Sequence, residues 1–162
     1  MRVKRTPKSD PWGDLTRLLR ERPRSVFEVR QRLCQRGHGE DEIEKTIRAA
    51  LDTGLLDDRA FTKLWVTDRL WHHPLSRAAL AKELYDKGID RSIVEAALEK
   101  HYPKLREIDL ARELAEARYE RLRGIGPERR RTRTVNHLMR RGFAHGLAYE
   151  IVRQVERAIE DE

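Results

Sequence analysis

The sequence predicts an all-α protein built as an array of three tandem three-helix repeats, about nine helices in all. Three observations carry the prediction. A five-residue phrase occurs three times, as Leu33-Cys-Gln-Arg-Gly37, Leu84-Tyr-Asp-Lys-Gly88 and Leu138-Met-Arg-Arg-Gly142, with glycines 51 and 54 residues apart. Apolar residues elsewhere recur at helical spacing. No stretch alternates as a half-buried strand does, and no Asn-Gly or Asp-Gly hairpin turn occurs. Within the phrase, a cation before the glycine suits the negative end of a helix dipole. The glycine just beyond can take the left-handed conformation that stops a helix. Near-equal spacing of three such stops is the mark of a stacked helical unit used three times.

Residues 1–10 read as a flexible basic arm, with Arg2, Lys4, Arg5 and Lys8 around Pro7. Repeat one, 11–54, opens with a helix from Pro11 that carries Trp12, Leu15, Leu18 and Leu19 on one face and ends before Pro23. Ser25-Val-Phe-Glu28 is a capping box for the second helix, which runs to Gly37 with Val26, Val29 and Leu33 apolar. A third helix is expected from about Glu40 to Thr53, with Ile43, Ile47 and Leu51 inward.

Repeat two, 55–102, begins where Asp57 or Asp58 caps a helix bearing Phe61, Leu64 and Trp65, ended by His72-His73-Pro74. Ser76 caps the next, with Leu80 and Leu84 inward, and it stops at Gly88. Asp90 caps the sixth, with Ile93, Ala97 and Leu98 on its face, ending near Tyr102-Pro103. Repeat three, 103–162, has a long helix through Leu105, Ile108, Leu114, Ala115 and Leu122 to the break at Gly124-Ile-Gly126-Pro127. Two more helices follow, at about Pro127–Arg141 and Ala144–Ile159. Trp12, Phe61, Trp65 and Trp71 have the spacing of core residues, not of a base-stacking platform. His38, standing where the other repeats have Ile89 and Phe143, is expected at a more exposed edge.

With 162 residues, 38% of them hydrophobic, the chain can bury one ordinary core or three small ones in series. Charged residues make up 39%, Lys and Arg outnumber Asp and Glu by 35 to 28, and the pI is about 9.8. Both signs are interleaved, as on long solvated helices. Cys34 is the only cysteine, so no intramolecular disulfide can form, and a reducing, cytoplasmic setting is expected. No apolar segment follows the basic MRVKRTPK start, which predicts neither secretion nor membrane insertion.

The catalytic inventory is thin. There is no Gly-x-x-x-x-Gly-Lys phosphate loop, no Gly-x-Ser-x-Gly elbow and no His-Glu-x-x-His pair. Adjacent Asp57 and Asp58 at a helix start suit capping better than metal binding, and His72 and His73 have no ligand partner at suitable spacing. Neither an enzyme nor a cofactor or metal is expected.

Arginine is more telling. Arg118, Arg121 and Arg123 precede the Gly124 break. Arg129, Arg130, Arg131, Arg133, Arg140 and Arg141 crowd the eighth helix, and only Glu120 and Glu128 oppose them between Ala117 and His145. On a helix Arg129, Arg133 and Arg140 share one side. A second cluster, Arg30, Arg32 and Arg36, lies on the second helix of repeat one. A merely solvated face would intersperse acids four residues away. This one points to an anionic partner, either nucleic-acid phosphate or an acidic protein surface, and charge alone does not separate the two.

Four segments together resemble the RecX family of regulatory proteins. They are Arg22-Pro-Arg-Ser25 with Glu28, Leu33 and Gly37; Gly54-Leu-Leu-Asp57-Asp58-Arg-Ala-Phe61 with Trp65 and Arg69; Glu83-Leu84-Tyr-Asp-Lys87-Gly88-Ile89; and Leu138-Met-Arg-Arg141-Gly142-Phe143. Their order and spacing, from about Leu15 to Val155, are what is specific. His38 and His73-Pro74-Leu75 depart from the pattern at local turns. The resemblance implies an elongated, curved array of three-helix repeats, monomeric. It also implies binding to the filament of the recombinase RecA on single-stranded DNA, with extension blocked or disassembly promoted, and weak binding of single- or double-stranded DNA. In that reading the filament- or DNA-binding residues are Arg30, Arg32, Arg36, Arg118, Arg121, Arg129, Arg130, Arg133, Arg140 and Arg141. The alternatives are a DNA-binding protein with helix-turn-helix-like units acting without RecA, and a passive helical adaptor.

Overall fold

A computed structural model describes residues 10–160; the expected basic arm lies outside these residues except for Asp10. The described residues form nine α-helices and no strand: α1 (Pro11–Glu21), α2 (Val26–Gln35), α3 (Glu40–Asp52), α4 (Asp58–His72), α5 (Arg77–Asp86), α6 (Arg91–His101), α7 (Lys104–Glu120), α8 (Pro127–Arg140) and α9 (His145–Glu160). The chain divides into two compact units. One takes in α1–α3 and α4 as far as Leu64, with Leu84–Val94; the other takes in Trp65–Glu83 and Glu95 onward.

The repeated phrase ends its helix the same way each time. Gly37, Gly88 and Gly142 have φ of 90°, 72° and 86°, and no non-glycine residue in the described chain has positive φ. The left-handed residue turns the chain so that the N–H beyond the glycine reaches the leucine carbonyl. His38 donates to Leu33, Ile89 to Leu84 and Phe143 to Leu138, at 3.3, 3.1 and 3.2 Å. This is the Schellman closure, in which otherwise orphaned carbonyls of the last turn find donors. Both residues it joins are buried in every case: the three leucines fully, and His38, Ile89 and Phe143 to within a few per cent.

The caps follow the sequence. Ser25 and Glu28 form the capping box on α2. Asp57 Oδ1 accepts from the Arg59 and Ala60 N–H groups, so Asp57 is the α4 cap. Asp58 instead accepts from the Val26 N–H at 2.9 Å, and burial raises its pKa. Ser76 caps α5 and Asp90 caps α6.

In the first unit Leu15, Val29, Leu33, Ile43, Ile47, Ala50 and Leu56 form one core cluster, and Phe61, Leu84, Ile89 and Val94 are buried as well. In the second, Ala111, Ala115, Tyr119, Val135, Leu138 and Phe143 pack with Ala148, Ile151, Val152 and Val155 of α9. Several expected core positions lie elsewhere. Trp71 is 79% exposed and Leu105 76%, while Trp12 and Leu51 are about half as exposed as these. Trp71 and Leu105 sit near helix ends and are left uncovered; Ala50 takes the inward place expected for Leu51. His38, expected at an exposed edge, is buried. Its Nε2 lies 2.8 Å from Asp14 Oδ2, so hydrogen bonding to a buried carboxylate replaces the apolar contact made by Ile89 and Phe143.

Two predictions follow from these contacts. A Cβ on Gly142 would lie 2.5 Å from Ala79 Cβ and 2.7 Å from Ser76 Oγ, whereas one on Gly54, also at positive φ, meets open space. Gly142→Ala should therefore cost roughly 2–4 kcal/mol in urea unfolding and Gly54→Ala only about 1 kcal/mol. Glu28 is the second case. Burial alone would raise its pKa, but hydrogen bonds from Arg22, the Ser25 N–H and Lys87 hold it down to about 2 from 4.5. A depressed carboxylate stabilises the fold above its unfolded pKa and loses that contribution as pH falls through the folded one. The difference in urea midpoint between wild type and Glu28→Gln should thus shrink steadily from pH 4.5 to about 2.

Candidate functional site

The densest run of arginine in the chain falls on α8. Gly126 and Pro127 start this helix, and Glu128 in its first turn complements the positive end of the dipole. Thr134, Val135 and Leu138 are its buried residues. At 3.6 residues per turn, Arg129, Arg133 and Arg140 fall within an arc of about 40° on the opposite side. All three are exposed, with no carboxylate partner among the described residues.

The neighbours of this stripe do different work. Arg130 is largely buried, lies 3.6 Å over the Tyr119 ring and donates from Nε to the Tyr119 carbonyl at 2.7 Å. Arg131 donates to Glu156 Oε2 at 2.7 Å, and Tyr119 O–H donates to Glu156 Oε1 at 2.9 Å. A buried carboxylate of α9 thereby ties α7 to α8. Arg141 donates to the Pro74 carbonyl at 2.8 Å, and the Arg141 carbonyl accepts from the Ser76 N–H. Arg130 and Arg141, both named as partner-binding from sequence, thus also make intramolecular contacts.

At the C-terminal end of α8 the charge converges. His137 is half-buried, and its pKa is lowered first by burial and then by Arg141, Arg118, Arg140 and Arg121. Arg118 at the end of α7, Arg121 just past it, and Arg140 and Arg141 all act on this one imidazole, and Arg141 Nε is 3.3 Å from its Nε2. Arg123 instead pairs with Glu120.

The first unit spends most of its cluster internally. Arg30 pairs with Glu40 at 2.8 Å and with Glu44. Arg36 pairs with Asp14, which is buried and also holds His38. The Arg32 side chain is exposed and bonds Gln35 at 3.3 Å, with no carboxylate partner among the described residues. Cys34 is exposed. Sequence reasoning overlooked Asp14 and Glu156, although each had a signal: Asp14 adjoins Leu15 and is four residues from Leu18, and Glu156 is four residues from Val152. A buried acid on an apolar helix face needs a cationic partner, and each has an arginine: Arg36 for Asp14 and Arg131 for Glu156.

No group of His, Cys, Asp and Glu among the described residues could hold a metal ion, and no helix there is long and apolar enough to cross a membrane. Nine helices among the described residues, three of them closed by the same Schellman turn, with an arginine stripe on one, make a helical-repeat protein with a charged outward face. Comparison with known proteins places it further. The RecX first, second and third three-helix domains match residues 16–48, 57–98 and 105–152. The chain is 32% identical over 146 residues to "Regulatory protein RecX" of Streptomyces coelicolor, covering 90% of this chain and 76% of that one. It is 36% identical over 138 residues to the protein of that name from Thermobifida fusca, covering 85% and 74%. The crystal structure of RecX from Lactobacillus salivarius shares the fold, with a TM-score of 0.76 at 22% identity, over 90% of this chain and 94% of that one. The chain belongs to the RecX family.

The division of labour among the arginines is directly testable. Arg130→Ala removes a charged hydrogen bond and a cation–π contact and should cost roughly 2–3 kcal/mol in denaturant unfolding. Arg129→Ala, one residue away, should stay within about 0.5 kcal/mol of wild type.

Proposed function

We propose that this protein negatively regulates the bacterial recombinase RecA by binding its filament on single-stranded DNA and blocking extension or promoting disassembly. ATPase, strand exchange and coprotease activity then fall together. Membership of a family of regulatory proteins supports a regulatory role. The observation that carries the choice of surface is the unpaired stripe of Arg129, Arg133 and Arg140. Three guanidiniums without intramolecular carboxylates lose little on meeting an anionic partner, because no existing ion pair has to break. With Arg118, Arg121 and Arg32 also outside carboxylate pairs, several weak contacts act at once, and effective concentration makes the attachment tight. The protein acts as a monomer, in the cytoplasm with the recombinase.

The test is the DNA-dependent ATPase rate of the cognate recombinase on excess single-stranded DNA, titrated with this protein from far below stoichiometric. A collapse at small ratios is expected, since competition for excess DNA cannot produce it. Loss of rate only once DNA is saturated would instead mean a DNA-binding protein acting alone. In the same assay, reversing Arg129, Arg133 and Arg140 to Glu should raise the half-inhibiting concentration roughly tenfold, at about 0.5 kcal/mol for each exposed charge. Unaltered inhibition by the folded triple variant would remove the stripe from the interface.

A further inference from the structure

The α7–α8 corner carries an arrangement that a generally basic surface does not explain. Arg118 Nε is buried and has no hydrogen-bond partner. Arg118, Arg121 and Arg140 have no carboxylate partner among the described residues. Arg141 is held by a carbonyl and by an imidazole nitrogen, neither of which neutralises it. Of the two nearest acids in sequence, Glu120 is paired with Arg123, and Glu128 stands at the far end of α8. Guanidinium groups do not deprotonate in proteins, so the four positive charges remain. A buried charged donor with no acceptor is costly, and a missing ion is one of the ordinary explanations for it.

His137 fits the same account. Arg141 Nε donates to His137 Nε2 at 3.3 Å. Because arginine can only donate, Nε2 is the acceptor and the neutral ring carries its hydrogen on Nδ1. The cluster is therefore a set of donors with a neutral imidazole at its centre. The charges acting on that imidazole are Arg118 and Arg121, at and just past the end of α7, and Arg140 and Arg141, at and just past the end of its own helix. The 74–76 segment touching Arg141 offers it backbone.

We propose that Arg118, Arg121, Arg140 and Arg141, grouped around His137, form a binding site for a phosphoryl group. Several unneutralised guanidiniums near one imidazole, one of them with a buried donor left without an acceptor, suit an anion with three or more acceptor oxygens disposed tetrahedrally; a planar carboxylate is satisfied by one arginine fork. The ligand is a phosphodiester of a nucleic-acid strand or a free phosphate. The inference deepens the reading above and rests on the same arginine-bearing face, but its test needs no recombinase.

The experiment follows the His137 ring resonances by NMR in the full chain as the pH is varied from about 5 to about 8. Inorganic phosphate is exchanged for chloride at constant ionic strength, and a five-residue oligothymidylate without terminal phosphate is titrated separately. A bound anion offsets the arginines, so the His137 pKa should rise by roughly one unit, with saturable shifts. Arg118→Gln should weaken binding about fivefold or more. Arg140→Gln, at an exposed position, should do the same and serves if the first variant does not fold. Saturation by the oligonucleotide at lower concentration than phosphate identifies the diester as ligand; saturation by phosphate alone identifies a free phosphoryl group. Identical titrations in chloride and phosphate with no response to the oligonucleotide would overturn the site, and equal binding by either folded variant would overturn its residue assignment. Failure here leaves the filament reading standing, because ATPase inhibition is measured separately.

Discussion

A backbone N–H reaching back over a left-handed glycine to a buried leucine carbonyl is the contact on which this architecture depends. It occurs at Leu33–His38, Leu84–Ile89 and Leu138–Phe143. Each closure does two things at once. It supplies a donor to the last turn of a helix, and it places the residue after the glycine in the core beside the leucine. The direction in which the next helix leaves is then largely determined. Where the turn lies against other residues, the glycine is needed twice over: Gly88 sits on the Phe27 side chain and Gly142 on Ala79 and Ser76. Neither position has room for a Cβ.

In the first unit the same geometry leads to buried polar residues. The slot after the glycine must be filled, and in the first unit it is filled by His38, which requires Asp14, which in turn recruits Arg36. On α9, Glu156 plays the part of Asp14, joining Tyr119 and Arg131. Arginine in this protein therefore divides by depth. Some guanidiniums are fasteners between helices; others, on the outer side of α8, have no internal task. A net charge of +7 gives no hint of that division.

Helix number, the caps and the three stops were legible in the sequence because each rests on local chemistry: Ser25 with Glu28, Asp57 before α4, Ser76 before α5. The arginine stripe was partly legible, since helical periodicity puts Arg129, Arg133 and Arg140 together. Periodicity could not reveal that Arg130 lies over Tyr119 or that Arg141 reaches Pro74, 67 residues away, because those partners are brought near only by tertiary packing. Trp71 was misjudged for a related reason. Hydrophobicity favours burial on average, but a residue near a helix end is buried only if another element covers it. His137 drew no attention, because its significance lies in arginines contributed by two helices.

The α2 cap has a further consequence in time. Ser25 Oγ donates to the Lys87 carbonyl, 62 residues later, and Lys87 Nζ bonds Glu28. On the ribosome, Ser25 emerges long before either partner exists. At about 5–20 residues per second, the wait is roughly 3–12 s. During that interval the first three helices have their own apolar contacts but an unfinished edge at Phe27 and Glu28. The compact unit that holds α1–α3 is therefore completed only after Leu84–Val94 has been translated.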